Sequence, residues 1–202
     1  MPIHRKFKYG MLVLIFCLPV FAQTQNPFET FKQFSATIVI SGVQQAHAGQ
    51  GDMKVYRSGD KMRTDMPGGA GYMVMELGQH TNYMVMGTGI CMQTTFQPQQ
   101  NPFAQAKNAT IERSPAGTDT VDGHPCKVEN VTVTPSDGQP HTMKMWEAED
   151  LKGFPIKIEM QSKNGPITMQ YKNLSFDEPA ASLFTHPDNC RQMPTMPNGA
   201  PH

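Results

Sequence analysis

The sequence predicts a single domain made mainly of antiparallel β-strands. Apolar and polar residues alternate over short segments along most of the chain, for example at Ile156, Ile158 and Met160, and this is the period of a strand with one buried face. Turn-forming residues such as Asn164-Gly165 separate these segments, as expected for hairpins. Catalytic and nucleotide-binding motifs are absent, so the pattern predicts the fold but indicates no catalytic activity.

The N-terminus has the organisation of a secretory signal peptide. The first eight residues carry three cationic side chains, and an apolar run follows over residues 11–21. This run is shorter than the roughly 20 residues of a membrane-spanning helix. We predict cleavage after Ala22, which makes the protein periplasmic or secreted, without stable membrane insertion.

The domain organisation follows from this cleavage. Residues 1–22 form the signal peptide, residues 23–190 the single β domain, and residues 191–202, rich in Pro, Asn and Gly, a disordered C-terminal tail.

The first half of the domain begins with a predicted short amphipathic helix over residues 28–34, which Asn26 would cap. Strands are predicted after it, and methionines occupy alternate positions in the hairpin of 72–77 with 83–86. A long loop at 95–109 follows the last of them, with one or two helical turns at 102–107. The strands of this half are predicted at 36–41, 52–57, 61–66, 72–77, 83–86 and 90–93.

The second half repeats the antiparallel pattern with a clearer period. Turns at Asp122-Gly123 and at 136–138 separate its first strands, and a single helical turn is predicted at 179–184. Its strands are predicted at 119–121, 126–134, 142–147, 156–161 and 167–172.

Charge and motifs narrow the classes of function. Lys plus Arg and Asp plus Glu number 17 each, and no basic stripe is interleaved with aromatics, so nucleic acid is not an expected partner. The sequence has no Gly-x-Ser-x-Gly elbow, phosphate-binding loop or His-Glu-x-x-His motif. We therefore expect neither an enzyme nor a cofactor.

Methionine is the compositional anomaly, at 16 residues against one tryptophan. Flexible, polarizable thioethers adapt to ligands of irregular shape, which favours a surface for a lipid or an acylated peptide. Two other interpretations stay open: the methionines fill a core, or they bind copper together with His80, Cys91 and His141.

Three cysteines follow the signal: Cys91, Cys126 and Cys190. An oxidising compartment favours one pair and one free thiol. We hypothesise a Cys91–Cys190 disulfide, because both lie at the ends of ordered segments, worth roughly 2–4 kcal/mol. The neighbouring His124 and Cys126 are separated by Pro125 within a turn, which favours a structural cysteine over a nucleophilic pair.

Several stretches resemble exported bacterial domains of unknown function that are grouped with the lipoprotein carrier LolA. These stretches are 117–126, 145–158, 171–176, 179–184 with Pro187, and, in the first half, 34–36 and 54–63. The resemblance implies a curved antiparallel sheet that forms an incomplete barrel, with short helices covering its concave face. In the carriers that face encloses an apolar cavity for the lipid chains of lipoproteins.

The leading hypothesis is a non-enzymatic binding protein whose Met-rich concave face holds a hydrophobic ligand. Besides copper binding, a structural or sensing interaction module without a small ligand is the alternative. The predicted wall residues are Ile38, Ile40, Met73, Met75, Met84, Met86, Met143, Met145, Ile156 and Ile158.

Overall fold

The computed structural model describes residues 30–42, 51–96, 109–134, 139–162 and 165–193. The predicted signal peptide and the helical turns predicted at 102–107 lie outside these ranges. Within these ranges, twelve strands form one sheet: β1 (Gln33–Ser41), β2 (Met53–Ser58), β3 (Lys61–Asp65), β4 (Gly71–Glu76), β5 (Thr81–Met86), β6 (Cys91–Thr95), β7 (Thr110–Val121), β8 (His124–Thr134), β9 (His141–Ala148), β10 (Phe154–Ser162), β11 (Gly165–Ser175) and β12 (Arg191–Gln192).

The sheet is built from two meanders that meet at its centre. Strands β1 to β6 pair in sequence order, as do β7 to β11, and the β1–β11 ladder joins the two sets. Every pairing is antiparallel except that of β12 with β6. The sheet is mixed and not closed, so the predicted β fold is confirmed.

Helical structure in the described part of the chain amounts to three short 3-10 helices. They are η1 (Pro67–Gly69), η2 (Glu149–Leu151) and η3 (Ala181–Phe184), and η3 confirms the helical turn predicted at 179–184. None of the described helices is long and apolar enough to cross a bilayer.

The predicted helix over 28–34 is wrong in its described part. Residues 31 and 32 are not helical, and β1 begins at Gln33. Phe34, Ala36 and Ile38 are buried at every second position, and pairing with β2 and β11 on both sides outweighs the local helical spacing of the phenylalanines.

The core is centred on Phe154, which has no exposed surface. Its ring packs edge-on against Phe31 at 4.9 Å, Phe34 at 5.2 Å and Tyr171 at 5.3 Å between centroids. These rings come from both meanders, so one core ties the two halves together.

Residues 177–193, here called the C-terminal strap, cross one face of the sheet from β3 to β6. Arg63 of β3 donates to the Leu183 carbonyl at 2.8 Å, the Tyr83 ring of β5 stacks on His186 at 3.5 Å, and Cys190 is bonded to Cys91 of β6. Phe184 of the strap is 4% exposed in a second, smaller core with Val74 and Tyr83.

The strap corrects the predicted start of the disordered tail. Arg191 and Gln192 form β12 and pair with Met92 and Gln93. The tail was predicted to begin at residue 191, yet ordered structure continues through the first residues of that segment. Residues 194–202 lie outside the described ranges.

Candidate ligand-binding face

The register of the sheet brings methionines from both meanders to one face, here called the Met-rich face. Residues paired across neighbouring strands point to the same side, and the pairs Met62↔Met75, Met73↔Met84 and Met84↔Met92 all carry two methionines. On the other side of β1, Met143 pairs with Met160. Pairing and alternation together give Met53, Met62, Met73, Met75, Met84, Met86, Met92, Met143, Met145, Met160 and Met169.

Nine of the ten predicted wall residues lie on the Met-rich face. Ile38 and Ile40 pair with Tyr171 and Met169, and Ile158 pairs with Met145. Ile156 lies in the β-bulge between Pro155 and Lys157, where alternation breaks, and it is 3% exposed.

Burial divides the Met-rich face into a packed centre and an open end. Ile38, Met145 and Ile158 belong to the main core and are at most 8% exposed, so their surface is already occupied by protein. Within the described ranges, the half-buried methionines of β4 to β6 outside both cores form what we call the open patch: Met73, Met84, Met86 and Met92.

A charged cluster borders the packed centre at the β7–β9 end of the same face. Arg113 Nη1 lies 2.7 Å from carboxylate oxygens of both Glu129 and Glu147. Burial opposes the charge on Arg113, but the hydrogen bonds and charges of the two glutamates more than offset it and raise the pKa of Arg113. The face is thus apolar across its middle and ionic at this end, an arrangement that suits an amphiphile.

The opposite face carries an open cleft of about 630 Å³ beside η1. Two of its four charged lining residues pair with each other: Arg63 Nε lies 2.6 Å from Asp65 Oδ1, and the guanidinium stacks 3.8 Å above the Tyr72 ring. Met86 is the one predicted wall residue in its lining. The cleft therefore mixes charged, apolar and glycine residues, whereas the open patch consists of methionines.

The His124–Cys126 pair does not form a nucleophilic site. Burial raises the pKa of the Cys126 thiol, and its Sγ donates to the His124 carbonyl at 3.3 Å. The His124 ring contacts Asp150 instead, at 2.8 Å. Among the described cysteines, Cys126 is the free one, and it is buried, as expected for a structural cysteine.

The Met/His/Cys copper set considered from the sequence is not assembled. Cys91 is bonded to Cys190, the pair hypothesised above, with Cα atoms 4.5 Å apart, so it has no thiolate to offer a metal. His80 follows β4 and His141 begins β9, and five strands lie between these two. Among the described residues, no group of three or more His, Cys, Asp or Glu is placed to hold a metal ion.

Sequence reasoning missed two parts of this geometry. One is the charged cluster, whose residues come from three strands: Arg113, Glu129 and Glu147. Their spacing in the sequence does not predict that they meet. The C-terminal strap covers apolar residues on the face opposite the Met-rich face. From the alternation of apolar and polar residues, that second face was expected to be exposed to solvent.

No family model matches the chain, and no curated protein does either. Among solved structures, the MucA/MucB complex of Pseudomonas aeruginosa aligns at 17% identity over 84% of this chain and 63% of the matched chain, with a TM-score of 0.48. Mycobacterium tuberculosis lipoprotein LppX aligns at 12% identity over 75% and 92%, with a TM-score of 0.42.

A LolA superfamily protein from Nitrosomonas europaea aligns at 11% identity over 77% and 91%, with a TM-score of 0.39. The matches thus include the family that the sequence resembles. The chain spans less than two thirds of the MucB chain and 31% of another match, PNGF-II.

Proposed function

We propose that this protein is a non-enzymatic, exported binding protein that holds an acyl chain or a similar hydrophobic ligand on the open patch of its Met-rich face. The observation that carries the proposal is the convergence of Met73, Met84 and Met86 on one face, half-buried and outside both cores. An apolar surface of this kind is a common feature of ligand and partner sites.

Methionine suits this role because its unbranched thioether adjusts to the outline of a flexible chain. In the packed centre, by contrast, Met145 is 1% exposed, so its surface is occupied by protein. Ile40, at 43% exposure, extends the apolar surface at the middle of the sheet.

Export is part of the same proposal. The Cys91–Cys190 disulfide is the bond expected outside a reducing cytosol, and the N-terminal pattern provides the signal, with cleavage after Ala22. No nucleic acid, metal cofactor or stable membrane insertion is required by this function.

The proposal is tested by titrating a fluorescent fatty acid into protein recovered from the exported fraction. The intact mass of this protein should be that of a chain beginning at Gln23. Met84→Lys places a charge in the patch and should weaken binding about tenfold or more, since an unpaired charge loses solvation there. Thr95→Lys is the matched control: Thr95 is exposed on neighbouring β6, on the opposite face by its pairing with Thr81.

Binding that survives Met84→Lys unchanged would place the ligand elsewhere. An exported protein that takes up no fatty acid and co-purifies with no lipid would overturn the proposal in favour of an interaction module.

A further inference from the structure

A row of three methionines crosses the open patch on adjacent strands. Met84 of β5 lies directly opposite Met73 of β4 on one side and Met92 of β6 on the other. Side chains paired in this way have Cβ atoms about 4.5–5.5 Å apart. Rotation about the Cα–Cβ and Cβ–Cγ bonds allows each outer thioether to lean toward Met84, so three sulfurs can meet around one point.

Thioether sulfur is a soft, neutral donor that selects Cu(I) over harder cations. We propose that Met73, Met84 and Met92 form a binding site for a soft univalent cation, Cu(I), with Met84 as the central ligand. Because the three donors are neutral, the bound ion keeps its single positive charge. The row is half-exposed, so water can partly solvate that charge.

A second observation concerns a residue about 7 Å along β5 from the row, where Asn82 lies opposite Met75 and Thr94. Asn82 precedes Met84 by one alternation on β5, and its Oδ1 is buried without a hydrogen-bond partner in the described part of the chain. Buried polar atoms in native proteins normally have a partner, which can be a bound ion. A cation held by the methionine row would supply favourable charge to this oxygen.

The site differs from the copper set predicted by the sequence. It uses no histidine and no cysteine, and Cys91 remains in its disulfide. The two proposals are tested separately, because Ag(I) binding is measured without any fatty acid present.

Silver(I) is the probe, because it has the same preference for sulfur and needs no reductant that would break the disulfide. Protein labelled with ¹³C at the methionine methyl groups is titrated with Ag(I) and followed by NMR. We expect the signals of Met73, Met84 and Met92 to shift and to saturate at one equivalent, while that of Met160 stays in place. Shifts confined to other methionines would overturn the proposal.

The affinity for Ag(I) is then measured in protein that carries Cys126→Ala, which removes the free thiol. Met84→Leu should weaken Ag(I) binding about tenfold or more, as expected for loss of a ligand. Met143→Leu is the control, since Met143 pairs with a methionine on one side but with Val131 on the other. Equal affinity in Met84→Leu and the parent, or an equal loss in Met143→Leu, would reject the site even if fatty acids bind.

Discussion

At the scale of single residues, Tyr171 shows how the core depends on protonation. It lies on central strand β11, 5% exposed, with its ring packed edge-on against Phe154. Burial strongly raises the pKa of this phenol, because the phenolate would lose its hydration inside the core. The folded state therefore holds Tyr171 neutral over a wider pH range than the unfolded state does.

This difference predicts a specific loss of stability in alkali. An unfolded tyrosine ionises near pH 10 while folded Tyr171 stays protonated, so its contribution is complete below pH 10 and declines above it, by about 1.4 kcal/mol per pH unit. Urea unfolding at a series of pH values should show this decline. Tyr171→Phe should flatten that part of the profile, whatever its effect at neutral pH; an unchanged slope would contradict the assignment.

At the scale of elements, the C-terminal strap is held by contacts spaced along its length. Leu183, Thr185 and His186 contact β3, β4 and β5 in turn, and the disulfide fixes the strap to β6. The disulfide closes a segment with a sequence separation of 99, a long loop whose closure restricts the unfolded chain considerably.

Replacing both Cys91 and Cys190 with serine should lower the free energy of unfolding by about 2–5 kcal/mol. Limited proteolysis should then cut the strap sooner than in the parent, because only its noncovalent contacts with the sheet retain it. Cys126→Ala serves as the control for loss of a thiol. Equal stability and equal proteolysis in the serine pair and the parent would show that the strap does not need the bond.

At the scale of the whole molecule, the β1–β11 ladder and one shared core join the two meanders. Trp146, the single tryptophan, lies in the second meander, 4% exposed, with its Nε1 donating to Asp119 Oδ2 at 2.9 Å. That hydrogen bond lowers the pKa of Asp119. Trp146 fluorescence thus reports on one half, while far-UV circular dichroism reports on all strands.

We expect the two signals to change together in urea, because neither meander can keep its core without the other. Thr37→Pro, in the middle of β1, should shift both transitions to lower urea by the same amount, since proline cannot donate to the ladder. Separate midpoints for fluorescence and circular dichroism would mean that the halves unfold independently.

The sequence predicted the strands better than their partners. The β4–β5 hairpin follows from alternation and turn residues, and it is confirmed. The start of β7 at Thr110 was placed at residue 119, because the exposed run from Ser114 to Thr120 has no alternation and owes its strand geometry to β8.

The candidate site was predictable in kind but not in extent. Alternation placed Met73 and Met84 on one face, yet only the register across four ladders aligns Met53 with Met92. The division into a packed centre and an open patch depends on which side chains are buried by tertiary packing. Local periodicity does not predict which side chains these are.

Strands β6 and β7 are consecutive in the sequence but lie ten strand positions apart, with antiparallel pairing throughout. Both therefore run in the same direction, so the chain that joins them must cross the width of the sheet and return along the strand axis. A flat sheet would be about 48 Å wide over these ten spacings, and the fifteen peptide units from Thr95 to Thr110 reach at most about 54 Å when fully extended. A flat sheet would therefore need this connection to be almost fully extended. Bending the sheet brings its two edges closer together, which relaxes that demand and gives the sheet an inner and an outer surface.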